Sequence, residues 1–200
     1  MKGEKVKMGD RYKTNESENK TELVEKQNNR VAVVIEESPE EAKCIVKSNR
    51  HKLYSEWVEW VPDFICEIGC ESIEDMKRCR EQLVQSFIKI GIVAEDENDI
   101  ARIMAGGAGV YKHFKVDSTS MDELTRFEKQ LTAFKRRHFS DEDRTYGRIL
   151  IHGELNGSFE NWNKYWEKLD QICSDTVYLQ ILVEEDIQKT KDIDIWLFHV

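Results

Sequence analysis

No stretch of this 200-residue chain approaches the run of roughly 20 apolar residues that a membrane-spanning helix needs. The N-terminus, Met1-Lys2-Gly3-Glu4-Lys5, lacks the apolar centre of a secretory signal, so a cytoplasmic location is expected. Positive charge is in deficit. Thirty Lys and Arg stand against 39 Asp and Glu, a net charge of -9 that repels phosphate backbones and anionic lipid, so neither nucleic acid nor a membrane is an expected partner. The five cysteines, Cys44, Cys66, Cys70, Cys79 and Cys173, are odd in number, which points to free thiols in a reducing compartment. Cys66, Cys70 and Cys79 with His51 lack the paired short knuckles of a zinc site, and Cys79 shares a helical stripe with Met76 and Leu83, so no metal is expected. There is no Gly-x-Ser-x-Gly elbow to expose a nucleophile near His152, and Glu184-Glu185-Asp186 lacks the alternating oxygen ligands and central glycine of a calcium loop. His113 and His152 read as ordinary strand residues.

What is present reads as an α+β chain in three parts. Residues 1–29 are polar and charged, with isolated apolar residues such as Val6, Tyr12, Leu23 and Val24, and are expected to form a disordered arm. Residues 30–70 are expected to form a short strand-helix-helix segment. Val31 to Ile35 is its strand, and Ser38-Pro39-Glu40-Glu41 has the serine cap and first-turn proline of a helix start. Leu53, Tyr54, Trp57, Val58, Trp60 and Val61 form an aromatic stripe ending at Pro62, with Trp57 and Trp60 as candidate anchors for a partner.

Residues 71–200 carry the clearest pattern. Ser72 caps a helix with Ile73, Met76, Leu83, Phe87 and Ile90 on one face, and an acidic loop follows. Beyond it come a strand around Val110–Val116, a helix faced by Leu124, Phe127, Leu131 and Phe134, and a strand at Arg148–His152. A helix faced by Phe159, Trp162, Tyr165, Trp166, Leu169 and Ile172 precedes two final strands, Thr176–Val183 and Asp194–Val200. The expected fold is therefore a two-layer βαβαββ domain, its helices covering one face of a four-stranded sheet, preceded by a short αβ segment. The basic cluster Lys135-Arg136-Arg137-His138 sits at a helix C-terminus, where it complements the helix dipole.

The loop Ala94-Glu95-Asp96-Glu97-Asn98-Asp99 is the place where a functional claim starts. Its acids can face a cation, a water or a neighbouring subunit; equally, Asp96 and Asp99 can cap the helix beginning near Ile100. Together with the βαβαββ tail, this loop resembles the second half of the tubulin superfamily, which includes FtsZ. There a central helix runs into an Asn-x-Asp-x-x-Asp loop that enters the nucleotide pocket of the next subunit and helps position the water that hydrolyses GTP. Asp96 and Asp99 match the two acids, and Ala94 replaces the asparagine. The family's Gly-Gly-Gly-Thr-Gly-type signature is absent, and Gly106-Gly107-Ala108-Gly109 precedes a strand and not a helix, so it cannot replace that phosphate cradle.

The resemblance implies a half-module with no cofactor, whose Asp96 and Asp99 contribute to catalysis in trans. Its expected partner is a protein such as a tubulin-like GTPase, met through Glu95, Asp96, Glu97, Asp99, Trp57 and Trp60, with the chain acting non-enzymatically as a filament cap or modulator. The rival expectation is a stand-alone regulatory module that binds a small ligand or an unrelated protein.

Overall fold

A computed structural model describes residues 12–27, 29, 31–48, 62, 64–88, 104, 107–117, 122–154, 159–173, 177–184 and 190–199. The strands are β1 (Tyr12–Ser17), β2 (Lys20–Glu25), β3 (Val31–Ser38), β4 (Lys43–Ser48), β5 (Phe64–Cys70), β6 (Ala108–Asp117), β7 (Thr145–Glu154), β8 (Val177–Glu184) and β9 (Thr190–His199). Three helices with described bounds accompany them: α1 (Ile73–Ile88), α2 (Glu123–His138) and α3 (Phe159–Ile172).

All nine strands join one sheet in the order β1-β2-β3-β4-β5-β6-β9-β7-β8. β1 to β5 form an antiparallel meander. α1 then crosses over to set β6 parallel to β5, and α3 does the same between β7 and β8. β9 inserts antiparallel between β6 and β7, so the last strand is central.

Residues 12–25 are not a disordered arm. They form the β1–β2 hairpin, turned by Glu18 and Asn19 between the paired Ser17 and Lys20. Few apolar residues suffice because the rest of the core comes from elsewhere: Leu23 and Val24 are buried against the sheet, and the Tyr12 ring meets Phe87 of α1 edge-on at 6.5 Å. The first helix expected in residues 30–70 is also corrected, while the aromatic stripe from Leu53 to Val61 lies outside the described residues. Pro39–Ala42 is a turn, closed by Glu41 N–H to Ser38 O at 3.2 Å with Ala42 at φ 50°, and Cys44 and Val46 continue as a buried face of β4. A proline that fits a first helical turn equally fits the start of a β-turn, and the alternation after it decides for strand.

The βαβαββ order of the C-terminal part is as expected, but the sheet is larger and has helices on both faces. Side-chain parity divides the core. Tyr111, Leu150, Trp196 and Phe198 pack with Met76, Cys79, Leu83 and Phe87 of α1 on one face. Phe114, Ile149, Ile151, Ile193, Ile195 and Leu197 pack with Phe127, Leu131, Phe134, Tyr165 and Leu169 of α2 and α3 on the other. A strand buried on both faces loses polar alternation, as Ile195 to Phe198 shows.

The caps follow local chemistry. Ser72 Oγ accepts the Asp75 N–H at 3.0 Å and donates to Asp75 Oδ2 at 2.8 Å, a reciprocal cap for α1. α2 instead begins after Asp122, which makes no side-chain cap bond. Gly109 is required by close approach: a Cβ there would lie 2.4 Å from the Phe198 ring. On α3, Tyr165 and Leu169 are the buried residues and Trp166 is half-buried, while the Trp162 side chain lies outside what is described.

Candidate functional site

The acidic-loop residues Glu95, Asp96, Glu97 and Asp99, and the aromatic anchors Trp57 and Trp60, lie outside the described residues. Beyond the loop, the next described residues are Met104 and Gly107. Met104 is buried, and its carbonyl accepts the Gly107 N–H at 3.0 Å. Gly107 has φ 79°, a left-handed conformation that suits glycine, and its carbonyl accepts the Glu67 N–H of β5 at 3.0 Å. Gly107 is thereby tied to β5.

Within the described residues, a polar cluster gathers around Asp194, which is fully buried in the central strand β9. Parity puts Asp194, Trp196 and Phe198 on the α1 face, beside Tyr111 of β6 and His152 of β7. Arg78 reaches down from α1 and binds in a fork, Nε to Oδ1 at 2.9 Å and Nη2 to Oδ2 at 3.1 Å. The Tyr111 hydroxyl donates to Oδ1, and His152 Nε2 lies 2.9 Å from Oδ2. Asp192 flanks the cluster, 2.7 Å from His113 Nε2 and 3.8 Å from Arg78 Nη2. Arg148, also fully buried, stacks 4.7 Å over the Trp196 ring.

Burial works to raise the Asp194 carboxyl, but the His152 hydrogen bond and the Arg78 guanidinium outweigh it and leave the pKa below the usual value. Burial and the adjacent carboxylate push the Tyr111 hydroxyl well above the usual phenol range, so it stays a proton donor. Each Asp194 oxygen has two partners, which fills the roughly four acceptor sites of a carboxylate. The acid is spent on the fold: it ties α1 to β6, β7 and β9, and has no lone pair left for a substrate. Both histidines were read as strand residues, which they are, but each is also held by a β9 carboxylate. The sequence signal for this was Asp192 and Asp194 alternating with Ile193 and Ile195, acids set inside a strand that is otherwise apolar.

A second feature is a surface groove of about 400 Å³ lined by Lys112, His113, Lys115, Gln130, Phe134 and Arg137 among others. Glu71 joins Lys112 of β6 to Arg137 of α2, and the Lys112 ammonium lies 5.6 Å from the Phe134 ring centre. Burial acts to raise the Glu71 carboxyl, and the Lys112 bond together with the positive charges of Lys112 and Arg137 more than reverses that. Of the basic cluster at the end of α2, Arg137 therefore has a structural partner, and Lys135 Nζ donates to the Ile172 carbonyl of α3 at 2.5 Å. Among the described residues, no group of three or more His, Cys, Asp and Glu side chains is arranged to hold a metal ion, and no helix is long and apolar enough to cross a membrane.

No protein-family model matches the chain, and neither does any curated protein. Among solved structures, the chain is similar to a tryptophan-to-tyrosine variant of FtsZ from M. jannaschii, at 17% identity and TM-score 0.46, over 62% of this chain and 40% of that one. An empty FtsZ dimer from M. jannaschii aligns at 15% identity and TM-score 0.48, over 62% and 38%. TubZ of Bacillus thuringiensis serovar israelensis, in GDP-form protofilaments, aligns at 14% identity and TM-score 0.39, over 62% and 35%. The chain thus spans about two-fifths of the length of these structures, or less.

Proposed function

We propose that this chain acts by association with another protein, without a nucleotide cycle of its own, as a cap or modulator of a tubulin-like GTPase filament. The observation that carries the association is the β8 edge. β8, Val177-Tyr178-Leu179-Gln180-Ile181-Leu182-Val183-Glu184, ends the strand order, pairs with β7 alone among the described residues, and has a single charge. Such an edge offers a row of unpaired N–H and C=O groups, and an extended segment of a partner can add to it as a further strand. Its opposite number, β1, carries Lys13, Asn15 and Glu16 and is exposed beyond Tyr12, the composition that discourages such pairing.

The choice of a tubulin-like GTPase as partner rests on the loop resemblance at Asp96 and Asp99. The absence of a nucleotide cycle rests on the strand-to-helix turn before α1. Where a phosphate cradle would need glycine and backbone N–H groups, that turn carries Glu71 and Ser72, an acid and a helix cap.

Gln180→Lys places a charge in the edge strand, a natural device against strand addition. In sedimentation with a polymerising tubulin-like GTPase, the unmodified chain is expected in the pellet and the Gln180→Lys chain about tenfold less so, equivalent to about 1.4 kcal/mol. Equal recovery of two equally stable proteins would place the contact elsewhere.

A further inference from the structure

We propose that Cys70 and Cys44 form a redox modification site: a hydroperoxide oxidises Cys70, and Cys44 resolves the product as a disulfide between β5 and β4.

The sheet register brings the two together. Cys44 of β4 lies opposite Ile68 of β5, and Cys70 is two residues further along β5, on the same face. The Cys70 N–H donates to the Ala42 carbonyl at 2.9 Å, so the two strands remain joined at that end. Cys44 and Cys70 are therefore diagonal neighbours, and Cys79 descends on them from α1. The three sulfurs interact with one another.

Their surroundings differ in a way that assigns roles. Cys44 and Cys79 are fully buried, whereas Cys70 is half-buried, next to the exposed Glu71 and Ser72 at the end of its strand. Cys79 Sγ accepts the Trp196 Nε1–H at 3.3 Å, and Cys44 Sγ donates to the Met76 carbonyl at 3.2 Å. Of these three, Cys70 is thus the thiol that a small oxidant reaches first; Cys173 is also half-buried, but burial pushes its thiol up to about 12. The Cys70 sulfur also lies 3.8 Å from the Ile68 carbonyl, and its contacts with the Cys44 and Cys79 sulfurs lower the Cys70 pKa and favour the nucleophilic thiolate, while burial and then the same contacts raise Cys79. Cys66 is also buried, with its thiol pushed up to about 12 mainly by burial, and is no competitor.

The chemistry balances in two steps. The Cys70 thiolate attacks one oxygen of hydrogen peroxide, the O–O bond breaks, and hydroxide leaves, giving a sulfenic acid at Cys70. Cys44 sulfur then displaces that hydroxyl as water once its thiol proton is transferred, and the S–S bond forms. Two thiols lose two electrons in total, and one peroxide becomes two waters. A reducing thiol reverses the modification, in keeping with free cysteines.

The test uses the full chain, folded, treated with stoichiometric hydrogen peroxide and followed by free-thiol titration and peptide mapping. Two of the five thiols are expected to disappear, with Cys44 linked to Cys70 in the map and both recovered on adding dithiothreitol. Cys70→Ser is expected to slow thiol loss by about tenfold or more. Cys44→Ser is expected to leave Cys70 as a sulfenic acid that a dimedone probe captures. A Cys70–Cys79 link in the unmodified chain, or thiol loss no faster than in Cys70→Ser, would overturn the assignment. The map of the unmodified chain decides the matter even if a variant folds poorly.

Discussion

A chain ending at residue 195 is expected to lose its cooperative fold and to aggregate. The residues removed include Trp196, Leu197 and Phe198, all fully buried, and they belong to the strand that pairs with both β6 and β7. Trp196 contacts Tyr111 at a ring separation of 5.1 Å, lies under Arg148 and bonds Cys79, while Phe198 fills the space left open by Gly109. Losing one such aromatic from a core costs about 3–5 kcal/mol, and the whole stability of a domain is about 5–15 kcal/mol. Two such losses and that of Leu197, with parts of two strand edges left unpaired in the middle of the sheet, exceed what the fold can absorb. Circular dichroism during heating and sedimentation at room temperature are the measurements; a soluble truncated chain with a sharp melt would show that β9 is not the central strand.

Asp194→Ala is expected to destabilise the chain by about 3–5 kcal/mol, because it leaves the Arg78 guanidinium and the His152 ring facing a gap where their acceptor was. The carboxylate also imposes a pH dependence whose sign follows from its lowered pKa. A group with a depressed folded pKa binds protons more readily in the unfolded chain, so its contribution is complete above the unfolded value of about 3.9 and is lost as pH falls through the lower folded value. Stability should thus fall with acid below about pH 4, and Asp194→Asn should lack this part of the decline while being weaker at neutral pH. Chemical denaturation between pH 7 and pH 3 tests both. A variant as stable as the parent at pH 7 would mean that the network is solvated and not structural.

Much of the fold was legible in the residues. The Ser72 cap, the Met76, Leu83 and Phe87 face of α1, the inner face of α2 and the βαβαββ order each rest on local periodicity or capping, which a sequence displays directly, whereas Ile73, expected on the α1 face, is exposed, and Ile90 lies outside the described residues. The N-terminal hairpin was not legible, because Leu23 gains its burial from a core shared with β3 and α1 and not from its own neighbourhood. Pro39 misled for a different reason: proline suits a helix start and a turn alike, and only the pairing of β4 with β3 and β5 separates them. The Asp194 network depends on Arg78, Tyr111, His152 and Asp194, which are up to 116 positions apart. Their meeting follows from β9 inserting between β6 and β7, a topological fact that no local pattern encodes. The acidic loop lies outside the described residues, and its reading rests on the resemblance at Asp96 and Asp99.

GTP turnover measured with a tubulin-like GTPase, in the presence and absence of this chain, tests the functional proposal most directly. The chain alone is expected to neither hydrolyse GTP nor bind it with micromolar affinity, about -8 kcal/mol. Added to the partner, it is expected to alter turnover, and the Asp96→Asn, Asp99→Asn double variant is expected to keep its melting temperature while losing that effect, since asparagine preserves a helix cap and removes only charge. Saturable GTP binding by the chain alone, or partner turnover that the chain leaves unchanged, would contradict the proposal.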